Sequence, residues 1–216
     1  MYQLAPKMAL CLPSNKKSHS YPGGLWIGKG EYYYLPYMKD VSTIFASTPL
    51  IGNAKPSEYL IDVKSIQVGG KNVSILHGAT KICTLAPYTV LQTSIYKAFL
   101  TAFSGNAKMA KAPAVKPFGA CFRSNGRRGA PVIDLVLSGG AKWRIYVTNS
   151  LVKVNKNVYC LGFVDGGVNP KNSIVIGGYQ MEDNLVEFDL KASKFSFSSS
   201  LLVHNTSCSV ERLSPF

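Results

Sequence analysis

Apolar positions along this chain fall mostly in short or alternating runs, the signature of half-buried strands. LWIG (25–28), EYLIDVKSIQV (58–68), VIDLVL (132–137), WRIYV (143–147), VYCLGF (158–163), SIVIGG (173–178), LVEFDL (185–190) and KFSFS (194–198) all read as strands. Gly, Pro and Asn clusters separate them: PGG at 22–24, GG at 69–70, SNGRRGAP at 124–131 and DGGVNPKN at 165–172. These residues supply the backbone angles that tight turns need. One segment breaks the pattern. Leu91, Ile95, Ala98, Phe99, Ala102 and Phe103 recur at spacings of three and four, which predicts an amphipathic helix over about 89–103. Pro87 suits its entry and Gly105-Asn106 its end. The stripe reads as core packing, not as a cofactor face. With no repeats and no low-complexity tract, the predicted class is mostly β with one clear helix.

Composition sharpens the picture. A chain of 216 residues allows one large domain or two small ones, and 46% hydrophobic against 16% charged residues suffices for a sizeable core. The 24 Lys+Arg against 11 Asp+Glu give a formal charge of +13. So basic a surface implies an acidic partner: nucleic acid, an anionic cell-wall polymer, or a protein with a carboxylate-lined cleft. The basic residues are scattered singly, with no Lys/Arg block, zinc-finger spacing or recognition-helix pattern, which argues against nucleic acid. The apolar runs are far too short to span a membrane. The opening MYQLAPKMALCLP contains Lys7 and lacks the apolar core of a signal peptide.

The five cysteines, Cys11, Cys83, Cys121, Cys160 and Cys208, have no CxxC spacing, so no metal is expected, and no cofactor either. Their odd number suggests two disulfides and one free thiol in an oxidising compartment. Two N-x-S/T sequons, at Asn72 and Asn205, make these asparagines glycosylation candidates and agree with secretion.

The stretch HGATKICTLAPYTVLQTSIY (77–96) carries the candidate chemistry. A strand reaches a polar corner at Thr80–Thr84 and leads on toward a helix. An apolar–apolar–Gly strand end, IVIGG (174–178), comes late in the chain, and a hairpin follows it. Two cysteines, in GACF (119–122) and VYCLGF (158–163), lie between. This order resembles the C-terminal lobe of the pepsin-like aspartic proteases, in which a catalytic Asp-Ser/Thr-Gly turn crosses beside the apolar–apolar–Gly strand. The wording ALCLPS (9–14), EYLIDVKSIQVGGKNV (58–73), TKICTLAPYTVLQTSIYKAF (80–99), PFGACF (117–122), CLGFVDGGVNP (160–170) and VIGGYQMEDNLVEFDL (175–190) is similar to a plant extracellular family sharing that fold. The family comprises the basic 7S globulins, the extracellular dermal glycoproteins and the xylanase and xyloglucan-endoglucanase inhibitors. The likeness runs over essentially the whole chain. It implies an entering segment and inter-lobe strand region at 1–57 and a pepsin-like C-terminal lobe at 58–216. The lobe with the first catalytic aspartate is then absent from this sequence, and a separate N-terminal lobe becomes a partner to consider.

The resemblance puts Cys83 at the catalytic Asp position and Leu85 in place of the Gly. An aspartic protease needs two carboxylates sharing a proton, so the chain is expected not to be an enzyme. Asp62, Asp134 and Asp165 have no Asp-Thr/Ser-Gly context. A nucleophilic Cys83 would need a base. His19, His77 and His204 are the only histidines, and none has a cysteine-protease signature around it. Cys83 therefore reads as a small buried thiol. The resemblance pairs Cys121 with Cys160 and Cys11 with Cys208.

The function it implies is inhibition of microbial glycoside hydrolases, xylanases or xyloglucan endoglucanases, in plant defence at an extracellular or cell-wall location. Such enzymes hold two carboxyl groups in a cleft, toward which a basic protein is steered. By resemblance to loops that enter the cleft, the contact candidates are His204, four residues before Cys208, with Arg127 and Arg128 on their Gly-flanked loop. A glycan on Asn205 would crowd His204. A storage or peptide-binding role, as in the basic 7S globulin branch, is the alternative; a half-chain without independent function is the third.

Overall fold

The computed structural model describes residues 6–14, 22–28, 30–34, 37–52, 58–73, 75, 78–123 and 129–209. Its longest strand, Tyr59–Val68, shows how pattern becomes structure. Ile61 and Val63 are buried, and then Ile66 and Val68, so burial moves from odd to even positions midway. The partner strand Ile133–Leu137 explains the slip: its register shifts between Val136, opposite Ser65, and Leu137, opposite Val63. One extra residue at such a bulge turns the following side chains to the other face.

Two compact units are present, Asn53–Gln180 and the combination of Met1–Gly52 with Met181–Phe216. In the first, described strands follow the order Lys142–Ile145, Ile133–Leu137, Tyr59–Val68, Ala79–Ile82, Ile174–Ile176, Thr89–Leu91, Phe163–Asp165. Lys71–Val73 pairs back on Tyr59–Val68 across Gly69 and Gly70, both at positive φ (56° and 82°). That backbone suits glycine and the twist of a two-residue hairpin. A second sheet runs Lys111–Ala112, Cys121–Arg123, Val158–Leu161, Leu151–Lys153. Cys121 and Cys160 sit opposite each other in it, with Cα atoms 4.0 Å apart, and are bridged.

The helix begins later than the spacing predicts, at Thr93, and runs to Asn106. Residues 89–91 are a strand instead. Thr89–Leu91 pairs in parallel with Phe163–Asp165 and antiparallel with Ile174–Ile176, so ladders on both sides override the local periodicity. Pro87 precedes this strand rather than the helix. The buried face is Ile95, Tyr96, Phe99 and Phe103, while Ala98 is exposed. Gly105 lies inside the last turn, and the Ala107 N–H closes the helix on the Phe103 carbonyl at 2.9 Å. VYCLGF likewise divides at Gly162: Val158–Leu161 belongs to one sheet and Phe163–Asp165 to the other. A Cβ at Gly162 would come 2.9 Å from the Val152 side chain.

The second unit contains an antiparallel sheet in the order Gly24–Ile27, Lys7–Cys11, Asn184–Asp189, Lys194–Ser200, Ala46–Pro49. Ala9, Cys11, Tyr32, Val41, Leu185, Leu201 and Cys208 form its buried cluster. Cys11 and Cys208 are bridged, with Cα atoms 5.3 Å apart. Among the described residues, no helix is long and apolar enough to cross a membrane.

Two stability outcomes are expected. Phe99 is fully buried, its ring 4.6 Å from that of Phe163. Phe99→Ala should cost about 3–5 kcal/mol in urea unfolding. Asp165 accepts the Thr93 hydroxyl at 2.6 Å and the Gly167 N–H at 3.0 Å, and these hold its carboxyl below the usual aspartate range. A depressed folded value stabilises above the unfolded pKa, and that contribution is lost as pH falls through the folded one. Asp165→Asn should therefore lower the urea midpoint near neutrality, and the gap to wild type should close on acidification below about pH 4.

Candidate functional site

The corner after Ala79–Ile82 owes its shape to a strand inserted from far away in sequence. Ile174–Ile176 runs parallel to Ala79–Ile82, placing Ile176 beside Ile82, and antiparallel to Thr89–Leu91 on its other edge. The Cys83 N–H donates to the Ile176 carbonyl at 3.0 Å, and the N–H groups of Gly178 and Tyr179 donate to the carbonyls of Ala86 (2.8 Å) and Pro87 (3.0 Å). The turn from 83 to 88 thus wraps around the strand's end. Gly177 permits the crossing, since a Cβ there would lie 2.3 Å from the Tyr88 carbonyl carbon.

A single carboxamide fastens this arrangement. Gln180 is 1% exposed. Its Oε1 accepts the Thr89 N–H (2.8 Å) and the Thr89 hydroxyl (2.9 Å). Its Nε2 donates to the carbonyls of Asn149 (3.0 Å) and Gly162 (2.8 Å). The Thr89 Oγ1 in turn accepts the Gly177 N–H at 3.2 Å. All four hydrogen-bonding positions of the amide are used, as a buried amide requires. Sequence reading passed over Gln180, and its only signal was an uncharged polar residue following the apolar–apolar–Gly run.

The corner carries no carboxylate. Cys83 is a half-buried free thiol, Thr84 is exposed, and Leu85 is 92% exposed. The unit's aspartates singled out above are engaged elsewhere. Asp134 holds Arg144 through two contacts, 2.7 and 3.0 Å. Asp62 accepts the Ser138 hydroxyl at 2.8 Å and pairs with Lys64 at 2.5 Å. Asp165 anchors the helix start as described. Glu58 pairs with Lys171 (2.8 Å) and Lys81 (3.2 Å), and these two ammonium groups hold its carboxyl below the usual range. Among the described residues no group of three His, Cys, Asp or Glu side chains could hold a metal ion.

Of the other candidates, His204 and Asn205 belong to the second unit and Asn72 to the first, and the rest lie outside the described residues. His204 ends a short 3-10 turn, Leu201–His204, that continues strand Lys194–Ser200. It is exposed beside a recess of about 180 Å³ lined by Val41, Ile44, Leu201 and Thr206, among others. The segment is anchored at both ends. The Leu201 N–H donates to the Asp183 carbonyl at 2.6 Å, the Cys208 N–H donates to Asp183 Oδ1 at 2.9 Å, and Cys208 is bridged to Cys11. Asn205 follows His204, exposed and left-handed at φ 55°, a conformation asparagine tolerates. Asn72 is exposed in strand Lys71–Val73, but Ser74 of its sequon lies outside the described residues. So do Arg127, Arg128, His19 and His77.

A strand pair threaded by an apolar–apolar–Gly strand, in a mostly β chain, defines the C-terminal lobe of the pepsin-like fold. The chain belongs to the xylanase inhibitor C-terminal family, whose model matches residues 58–199. It is 42% identical to the probable aspartic proteinase GIP2 of Nicotiana benthamiana, over 94% of this chain and 52% of the relative. It is 37% identical to the basic 7S globulin of Glycine max, over 79% and 43% respectively. The crystal structure of edgp superposes with a TM-score of 0.84 at 41% identity, over 95% of this chain and 56% of that one. The soybean basic 7S globulin structure gives 0.81 at 35%. The chain spans about half the length of the curated relatives it matches.

Two substitutions test the geometry. Gly177→Ala forces a methyl into the Tyr88 backbone and should prevent cooperative folding or lower the thermal midpoint steeply. Gln180→Leu strands the Thr89 N–H and two carbonyls in the interior, at about 1–3 kcal/mol per group. A urea midpoint within error of wild type for Gln180→Leu would contradict the role given to it.

Proposed function

We propose that this chain is a non-proteolytic binding protein that inhibits a glycoside hydrolase of microbial origin by presenting the His204 segment to the enzyme's carboxyl-lined cleft. The observation that carries this reading is the mounting of His204. An exposed imidazole sits on a turn held by Asp183 on one side and by a disulfide four residues away. Binding loops gain affinity when their conformation is set before contact. The charge of +13 adds attraction toward an acidic cleft. Arg127 and Arg128 would support the contact from their own loop.

Several features support the absence of proteolysis and the location. We take Cys83 to occupy the position that an aspartate holds in active pepsin-like enzymes. A thiol there cannot share a proton with a second carboxylate as that mechanism demands. Two disulfides and the exposed Asn205 sequon suit an extracellular or cell-wall protein. A separate N-terminal lobe is a further partner to assay.

A storage or peptide-binding role is the second reading, favoured by the likeness to soybean basic 7S globulin and to conglutin gamma from lupine seeds. The two readings part in a surface-plasmon-resonance screen against xylanases and xyloglucanases. Inhibition predicts that salt slows association more than it speeds dissociation. It also predicts tighter binding on the acid side of neutrality, since a charged imidazole is the form that pairs with carboxylates. His204→Ala should abolish that pH slope and cost about 2–4 kcal/mol. Storage predicts no hydrolase binding in the screen. A hydrolase bound equally well by His204→Ala, with an unchanged pH profile, would remove the histidine from the interface. Pepstatin-sensitive cleavage of denatured substrate at about pH 3–5 would overturn the non-proteolytic reading.

A further inference from the structure

The five-stranded sheet carries an unusual polar row on one face. Residues directly opposite one another across its strands are Trp26, Ala9, Glu187, Ser196 and Ser47. Two residues along, on the same face, stand Lys7, Asp189 and Lys194. A sheet face that packs on a core is ordinarily apolar, and toward Cys11 and Leu185 this one is. Around Glu187 it opens instead into a cavity of about 320 Å³.

The cavity is built rather than incidental. Glu187 is 5% exposed, yet its carboxylate lines the space. The Tyr32 hydroxyl donates to Oε2 at 2.7 Å, and Lys7 Nζ lies 3.5 Å from Oε1 and 3.3 Å from Asp189 Oδ2. That leaves acceptor capacity on Glu187 unused, because a carboxylate takes about four hydrogen bonds. Ser47 and Ser196 turn hydroxyls to the space and have no side-chain hydrogen bond among the described residues. Phe45 supplies an aromatic wall. Gly30 keeps the space clear, since a Cβ there would stand 3.0 Å from Glu187 Oε2 and 3.3 Å from Lys7 Nζ.

Charge decides what fits. Lys7, Lys194 and Glu187 line the cavity, and Asp189 stands behind Lys7 as its ion-pair partner, so the two positive and two negative charges sum to zero. An anion would meet the Glu187 carboxylate and a cation the two ammonium groups. A neutral molecule with several hydroxyls can donate to the carboxylate, exchange hydrogen bonds with the serines, accept from Lys7 and lay its C–H face on Phe45. The volume is at the lower end of the roughly 300–1,000 Å³ of ligand sites, enough for one small ring. We propose that this cavity binds a single neutral sugar unit, as a free monosaccharide or as the end of a glycan.

The test is calorimetry with ligand-observed NMR on the full chain, using xylose, arabinose, glucose and galactose, their methyl glycosides, and sulfate and acetate as anion controls. At least one neutral sugar should bind with a Kd in roughly the millimolar range, as expected for so few ligand atoms. The double substitution Ser47→Ala/Ser196→Ala removes only two oxygens and should weaken binding about tenfold or more. Gly30→Ala should do the same by filling space. Near-UV circular dichroism checks that each variant is folded, and the two variants reach the cavity from different walls. Methyl glycosides that bind as well as free sugars assign the site to a glycan end, and loss on methylation assigns it to a free sugar. Failure of every sugar to bind overturns the proposal. So does binding of sulfate or acetate alone, or sugar binding unchanged in both folded variants.

Discussion

The fold of the 53–180 unit depends on one buried amide. Gln180 joins Thr89, Asn149 and Gly162, and Thr89 passes the connection on to Gly177. In a low-dielectric interior such a network is stable only when every donor and acceptor is satisfied. Apolar packing alone would press Ile174–Ile176 against its neighbours without fixing where it stops. The amide sets that stop. The strand end, the turn around it and the corner at Cys83 follow from its position. The shape of the corner thus rests on hydrogen bonds made by residues away from Cys83.

In the proposed inhibition, affinity and placement would come from different residues. The surplus of basic side chains acts over distance and needs no particular geometry. His204 would contribute through fixed placement, because its segment is held by Asp183 and by the bridge at Cys208. Salt and pH separate these contributions experimentally. The polar cavity around Glu187 has a third character, with Glu187 already paired to Lys7 inside the protein and hydroxyl groups beside it.

Legibility in the sequence followed the range of the interaction. Strands such as Tyr59–Val68 and Ile133–Leu137 were readable because alternation is local, and the family likeness in the segments around them pointed to the pepsin-like lobe. The helix start was misjudged because Thr89–Leu91 takes its conformation from residues 163–165 and 174–176, which no local window contains. VYCLGF looked like one strand because apolar continuity does not record that the chain changes sheets at Gly162. Strands Lys7–Cys11 and Ala46–Pro49 gave no periodic signal of their own, as short edge and near-edge strands borrow order from their partners. Gln180 and Glu187 were missed for a related reason. A polar residue in an apolar run declares a network or a cavity only once its distant partners are known.

The pairing of Lys7–Cys11 with Asn184–Asp189, sealed by a bridge spanning 197 residues, constrains how the molecule can be made. The early strand leaves the ribosome long before its partner. At about 5–20 residues per second, the interval between Cys11 and Cys208 is roughly 10–40 s. During that time Ala9 and Cys11 lack the Leu185 and Leu201 part of their cluster and the Cys11 thiol has no native mate, while Cys121 and Cys160, 39 residues apart, both emerge earlier than Cys208. A transient Cys11–Cys83 or Cys11–Cys121 bond is therefore open to the nascent chain. Biogenesis should depend on thiol-exchange catalysts that keep Cys11 reduced or reshuffle it until the last strands arrive.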